Sequence, residues 1–159
     1  MRGELLVERP VDGPKPKERS VGLPVDDVLL DDAFSAAYDA AWQATDPVLL
    51  ELGRILAARM LGNSDEVALR TPAAVAAGLD ESMVSELGSW YASDQFGPRE
   101  RACLAFVEQF VIDVANLDEA VAGEVSNHLG PAGLVNFASA FLVVEQRIRL
   151  HSAWSKLGV

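Results

Sequence analysis

Four prolines, each preceded by a capping or chain-stopping residue, constrain this chain most: Asp46-Pro47, Thr71-Pro72, Gly97-Pro98 and Gly130-Pro131. Proline is tolerated in the first helical turn, where its missing N–H has no partner in any case. Asp, Thr or Gly before it takes the capping position. No helix continues undisturbed through these pairs, so they divide the chain into helical segments.

Apolar spacing fills in the segments. A first helix is predicted from about Asp31 to Ala44, with Phe34, Tyr38 and Trp42 four apart. Pro47 starts a second, whose stripe is Leu49, Leu52, Leu56 and Met60, and Gly62 stops it. Gly53 inside that helix marks a close approach by another element. Pro72 opens an Ala-rich turn before Gly78, and Asp80 caps a short helix carrying Met83, Leu87, Trp90 and Tyr91. Pro98 opens a helix with Cys103, Phe106, Phe110 and Val114 on one face. Asp118 caps the next, ending near Leu129-Gly130. Pro131 begins the last, lined by Leu134, Phe141, Val144 and Ile148. No apolar–polar alternation bounded by turns argues for a sheet. The expected fold is all-α, a helical bundle over residues 26–159. Residues 1–25, with Pro10, Pro14, Pro16 and Pro24, read as an irregular N-terminal arm.

A length of 159 residues suits one domain that needs no metal or disulfide staple. No run approaches the roughly 20 apolar residues of a membrane span, and the charged start Met1-Arg-Gly-Glu does not resemble a signal peptide. A cytoplasmic location is expected, with no membrane partner. The net charge is −11, and between Ser20 and Gly53 there is no Lys or Arg. Such a surface repels phosphate backbones, which argues against nucleic-acid binding. Cys103 is the only cysteine, so an intrachain disulfide, a Cys-rich zinc site and a CxxC couple are excluded. Its neighbours Ala102, Leu104 and Ala105 suggest a buried thiol acting as a small hydrophobe.

The order of pieces resembles a known family. A Glu-bearing helix, a short connection and an Ala-rich helix closing on Ala77-Gly-Leu-Asp-Glu81 precede Phe96-Gly-Pro-Arg-Glu-Arg-Ala102, and an Arg-containing last helix ends Lys156-Leu-Gly. This resembles the carboxymuconolactone decarboxylase-like, or AhpD-like, superfamily over roughly residues 35–159. The resemblance implies an AhpD-like helical bundle and a homo-oligomer, commonly a trimer or hexamer. Redox-active members carry CxxC, then a His four residues on, with a Glu upstream. Counting back from Gly78 puts Asn63 and Glu66 at the cysteine positions and Arg70 at the histidine, while Glu51 matches the upstream Glu. Peroxide reduction needs one thiolate to attack and a second thiol to resolve, which argues against an alkyl hydroperoxide reductase-type peroxidase. The decarboxylase branch resembles Glu-Leu-x-x-His here, against Glu66-Val-Ala-Leu-Arg70 in this chain.

The resemblance therefore implies Glu51 and Glu66 as proton-handling residues, with Asn63 and Arg70 contacting a small organic acid or lactone without a metal or cofactor. Arg cannot exchange a proton near neutrality, but its fork suits a carboxylate. His151 continues the Phe141/Val144/Ile148 stripe and is the reserve base. Plainer readings stand beside these: Glu66 and Arg70 as a surface ion pair, Glu51 as solvated or paired with Arg54, His151 as a core or interface residue. Two buried carboxylates side by side would raise one pKa and keep that acid protonated. The whole chain could equally be a non-catalytic oligomeric structural or interaction subunit.

Overall fold

The computed structural model describes residues 28–158; the expected arm over residues 1–25 lies outside the described residues. Seven α-helices follow one another, with no strand among the described residues: α1 Val28–Ala44, α2 Pro47–Met60, α3 Ser64–Ala68, α4 Pro72–Ala76, α5 Glu81–Glu86, α6 Pro98–Asp113 and α7 Glu119–Leu157. The proline pairs sit where expected. Asp46 accepts from the backbone N–H groups of Val48 and Leu49, and Asp80 and Asp118 cap α5 and α7 in the same way. Gly130 adopts φ +78° and ψ 164°, interrupting α7 immediately before Pro131. Proline has no N–H to give the ladder, so the helix restarts there.

Two boundaries differ from expectation. The Asp80-capped helix ends at Glu86 and tightens into a 3-10 turn over Leu87–Ser89, leaving Tyr91 exposed. The segment after Gly62 is not all loop. Asn63 accepts from Glu66 N at 3.0 Å and caps the one-turn helix α3.

Helix α2 is the axis of the bundle. Its ten residues Leu49 to Ala58 are all buried, so it is enclosed on every side rather than along one stripe. Helices α6 and α7 pack against α2, and α1 packs on α7. Gly53 permits the closest approach: a Cβ there would lie 3.0 Å from Val107 Cγ2 and 3.6 Å from the Phe141 ring. Phe106, Phe110, Phe137 and Phe141 interlock between α6 and α7, with centroids 5.4–6.4 Å apart. Edge-on and offset rings at this distance add to their area burial. Enclosing α2 has a consequence for function, because two of its ten buried residues, Glu51 and Arg54, are charged.

Candidate functional site

Glu51 and Arg54 stand three apart on α2 and are 0% and 1% exposed. Charges so deep need partners, and Arg54 has them on every N–H. Its Nε and Nη2 grip the two oxygens of Glu51 at 2.8 and 2.9 Å. Its Nη1 donates to the Glu66 carboxylate at 2.9 Å and the Glu66 carbonyl at 2.7 Å, and Nη2 also donates to the Leu69 carbonyl at 2.8 Å. All five donors of the fork are used. The two carbonyls belong to the end of α3, so the guanidinium both pairs two acids and satisfies a helix C-terminus.

Glu51 is likewise saturated. Besides Arg54 it accepts from Thr71 N at 3.0 Å and Thr71 Oγ1 at 3.1 Å. Thr71 occupies the N-cap of α4 without giving that helix a side-chain bond, because its hydroxyl is committed to Glu51. The acid reaches across twenty residues of chain and fixes the entry to α4.

Glu66 joins this knot to α7. One oxygen receives Arg54; the other lies 2.8 Å from His151 Nδ1. Burial alone pushes the Glu66 carboxyl upward, but the His151 bond and the charges of Arg147, Arg54 and His151 outweigh it. The group is held below its ordinary value of 4.5. The expectation that adjoining carboxylates would keep an acid protonated therefore does not apply to Glu66, because a guanidinium stands between the two. Burial likewise disfavours the Arg54 charge, and Glu51 and Glu66 reverse this.

Asn63 lies beside this network as a strut: its Oδ1 caps α3 and its Nδ2 donates to Ser152 Oγ at 3.0 Å, tying α3 to the turn that carries His151. Arg70 points elsewhere. Its Nε and Nη2 bind Glu81 at 2.7 and 3.1 Å, and its Nη1 binds the Val67 and Leu69 carbonyls. The Glu66–Arg70 pair of a continuous helix does not form, because α3 ends at Ala68 and Leu69 is extended. The structure thus brings Glu51, Glu66 and His151 together, puts Asn63 at their edge and leaves Arg70 outside.

The expectations named Arg54 only as a partner for Glu51, not as the centre of the cluster. Its signal was present: Leu50, Ile55, Ala57 and Ala58 are apolar off the expected stripe, so α2 is apolar all round and any charge on it must be paired internally.

Around His151, Nδ1 is engaged, the side chain is 27% exposed, and Trp154 lies 5.7 Å away. One turn earlier on α7, Arg147 stacks 4.4 Å over the Tyr38 ring. Cys103 is 1% exposed, and burial pushes its thiol up to about 12. At neutral pH it is neither a nucleophile nor a redox group.

A family description, carboxymuconolactone decarboxylase family, matches residues 28–109, just over half of the 159. This chain belongs to that family. The matched stretch spans α1 to most of α6 and contains Glu51, Arg54 and Glu66, whereas His151 and Arg147 come from beyond it. No curated protein and no solved structure matched the chain.

Arg54→Met strands two buried carboxylates and should cost about 3–5 kcal/mol in urea unfolding. The triple variant Glu51→Leu/Arg54→Met/Glu66→Leu should recover most of that loss. A mild effect of Arg54→Met alone would mean the knot is not the buried ion cluster described here. Acid sensitivity follows from Glu66. Its folded pKa is depressed, so the unfolded chain takes up this proton first as pH falls. The stability it contributes is complete above about pH 5 and is lost as pH drops through the folded value. Glu66→Gln should flatten that acid limb in thermal melts taken from about pH 6 to 3.

Proposed function

We propose that this chain is a cofactor-independent carboxymuconolactone decarboxylase-like protein that moves a proton on a small organic acid or lactone, with His151 as the exchanging base. The supporting observation is the 2.8 Å contact between Glu66 Oε1 and His151 Nδ1. An ionised carboxylate on Nδ1 selects the tautomer in which Nδ1 carries the hydrogen, leaving the Nε2 lone pair to accept a proton. Among the described residues His151 makes no second hydrogen bond. Glu66 then orients the base and stabilises the imidazolium that forms. Arg54 keeps Glu66 ionised, and Glu51 holds Arg54. Glu51 and Glu66 are in this reading positioning residues rather than the acid and base themselves. Glu51 is saturated and sealed from solvent, and each oxygen of Glu66 already holds a partner.

A second reading, a non-catalytic oligomeric subunit, draws on two observations. Arg54 spends all its donors on protein acceptors, as a purely structural knot would. Helix α7 also shows much apolar surface: the most apolar 18-residue window has mean hydropathy 1.2 with 22% of it buried, and Val135 and Leu142 are 62% and 46% exposed. These two are seven apart, on one stripe of the helix. By length and composition α7 passes for a membrane span, but it is broken at Gly130 and packs on α1, α2 and α6. Self-association is the reading that suits such a face best, and it is compatible with either function.

His151→Gln retains a donor toward Glu66 but has no basic nitrogen. Against a panel of γ-lactones and β-keto acids, it should lower kcat at least about 100-fold with little loss of thermal stability. Equal turnover by wild type and His151→Gln would leave the structural reading standing. Light scattering should give the wild type a mass above that of one chain, and Leu142→Glu should reduce it; a monomeric wild type would remove self-association.

A further inference from the structure

Three donors around one cleft have no acceptor. The cleft, about 260 Å³, lies between α1 and α7 and is lined by Phe34, Ser35, Tyr38, Asp39 and Arg147. Among the described residues Arg147 forms no ion pair and no hydrogen bond; its contact is the Tyr38 ring beneath it. The Tyr38 hydroxyl is itself buried without a partner, and so is the indole N–H of Trp42 behind it. Trp42 is 9% exposed, and its ring meets Tyr38 edge-on at 5.9 Å. No hydrogen bond of good geometry joins the indole N–H to the phenol oxygen.

Leaving buried donors unpaired costs about 1–3 kcal/mol each, and native interiors seldom tolerate it without a ligand, water or function to explain it. Here two such donors and an unpaired guanidinium converge, one helical turn from His151. What they lack in common is an acceptor carrying negative charge. We propose that this cleft is a carboxylate-binding site: Arg147 and the Tyr38 hydroxyl hold the anion, the Trp42 N–H backs it, and Phe34 and the Tyr38 ring flank an apolar or unsaturated body. The volume falls just short of the roughly 300–1,000 Å³ of drug-sized sites, which favours a small acid. Asp39 is the one carboxylate on the lining. It is exposed, so water screens its repulsion of a bound anion. The inference deepens the acid–base reading and rests on it for what becomes of the bound acid: with its carboxylate on Arg147, the rest of the molecule extends along α7 toward His151 Nε2. Arg147, not Arg70, is the anion anchor.

Benzoate, with benzamide as its uncharged isostere, tests the site by isothermal titration on the full chain. Benzoate should saturate and benzamide should bind at least about tenfold more weakly. Arg147→Met should weaken benzoate at least about tenfold, the lower end for a charged hydrogen bond. Tyr38→Phe carries a signature a merely structural hydroxyl would not give. It should raise the melting temperature of the free protein, by removing an orphaned buried donor, while weakening benzoate several-fold. Benzamide binding as well as benzoate, or Arg147→Met binding benzoate like wild type, would overturn the site. The two readings fail separately. Arg147-dependent benzoate binding without turnover of any lactone or keto acid keeps the cleft and removes the base. Turnover lost in His151→Gln, with no benzoate binding and an unchanged KM in Arg147→Met, does the reverse.

Discussion

A guanidinium enclosed in the central helix of a bundle must find five acceptors, and Arg54 finds them by reorganising everything near it. Two are carboxylate oxygens one turn back on its own helix; the others come from the segment that follows. That segment consequently cannot run as one long helix. It is cut into α3 and α4 with Leu69 extended between them, so that the Glu66 and Leu69 carbonyls turn toward Arg54 and the Thr71 N–H and hydroxyl toward Glu51. Apolar residues of the same volume would hold the bundle together as well or better, since desolvating three charges offsets most of their attraction. What the ion cluster contributes is geometry. It fixes where the Glu66 side chain ends, and Glu66 is the only one of its members that also reaches α7.

The balance of charge explains why the surroundings look as they do. Two carboxylates against one guanidinium leave a negative excess, and it lies on the Glu66 side. The groups placed there are His151 and Arg147, both on α7, both contributing to the low pKa of Glu66. Arg147 therefore serves the buried cluster at a distance while its fork remains uncommitted above Tyr38. A cation that is electrostatically useful without being hydrogen-bonded can take up an exchangeable anion without dismantling the fold. Arg54, in contrast, could bind nothing further without breaking the knot. The division separates a fixed cation from an available one.

Much of the architecture was legible because its determinants are local. Asp46, Asp80 and Asp118 cap by contacts to residues two or three along the chain, and the proline pairs act within a single turn. Gly53 was readable as a close approach because a glycine inside an apolar helix costs propensity without an evident local return. His151 was readable because it extends the stripe of Phe141, Val144 and Ile148. The site itself was less so. The Glu51–Arg54 pair was legible from its spacing of three, but Thr71 and Glu66 reach it only because a connection folds back over α2, and no periodicity reports that. Arg70 was misplaced for the same reason. Spacing of four suggests a pair with Glu66 only if the helix continues, and it stops at Ala68. Arg147 was passed over, and the depth of Arg54 missed, because an arginine on a helix ordinarily carries its charge to water. Only the all-round burial of α2 distinguishes Arg54 from that norm.

The resemblance to the redox branch sets Asn63 and Glu66 against its two thiols. Residues three apart at the start of a short helix are brought close, and that proximity is what lets two cysteines resolve one another in the redox branch this chain resembles. Here the same proximity is used differently. Asn63 Oδ1 accepts the Glu66 backbone N–H and so forms the turn, while the Glu66 side chain is left to bridge Arg54 and His151. Asn63 then spends its remaining donor on Ser152, the residue after His151. The two substituted positions thus hold one partner each on adjacent residues of α7, and their effect is to set the imidazole in place. With Cys103 sealed in the core, that imidazole is the group of this network that keeps a ring nitrogen without a partner among the described residues. Asn63 and Glu66 together thus fix the orientation of one histidine.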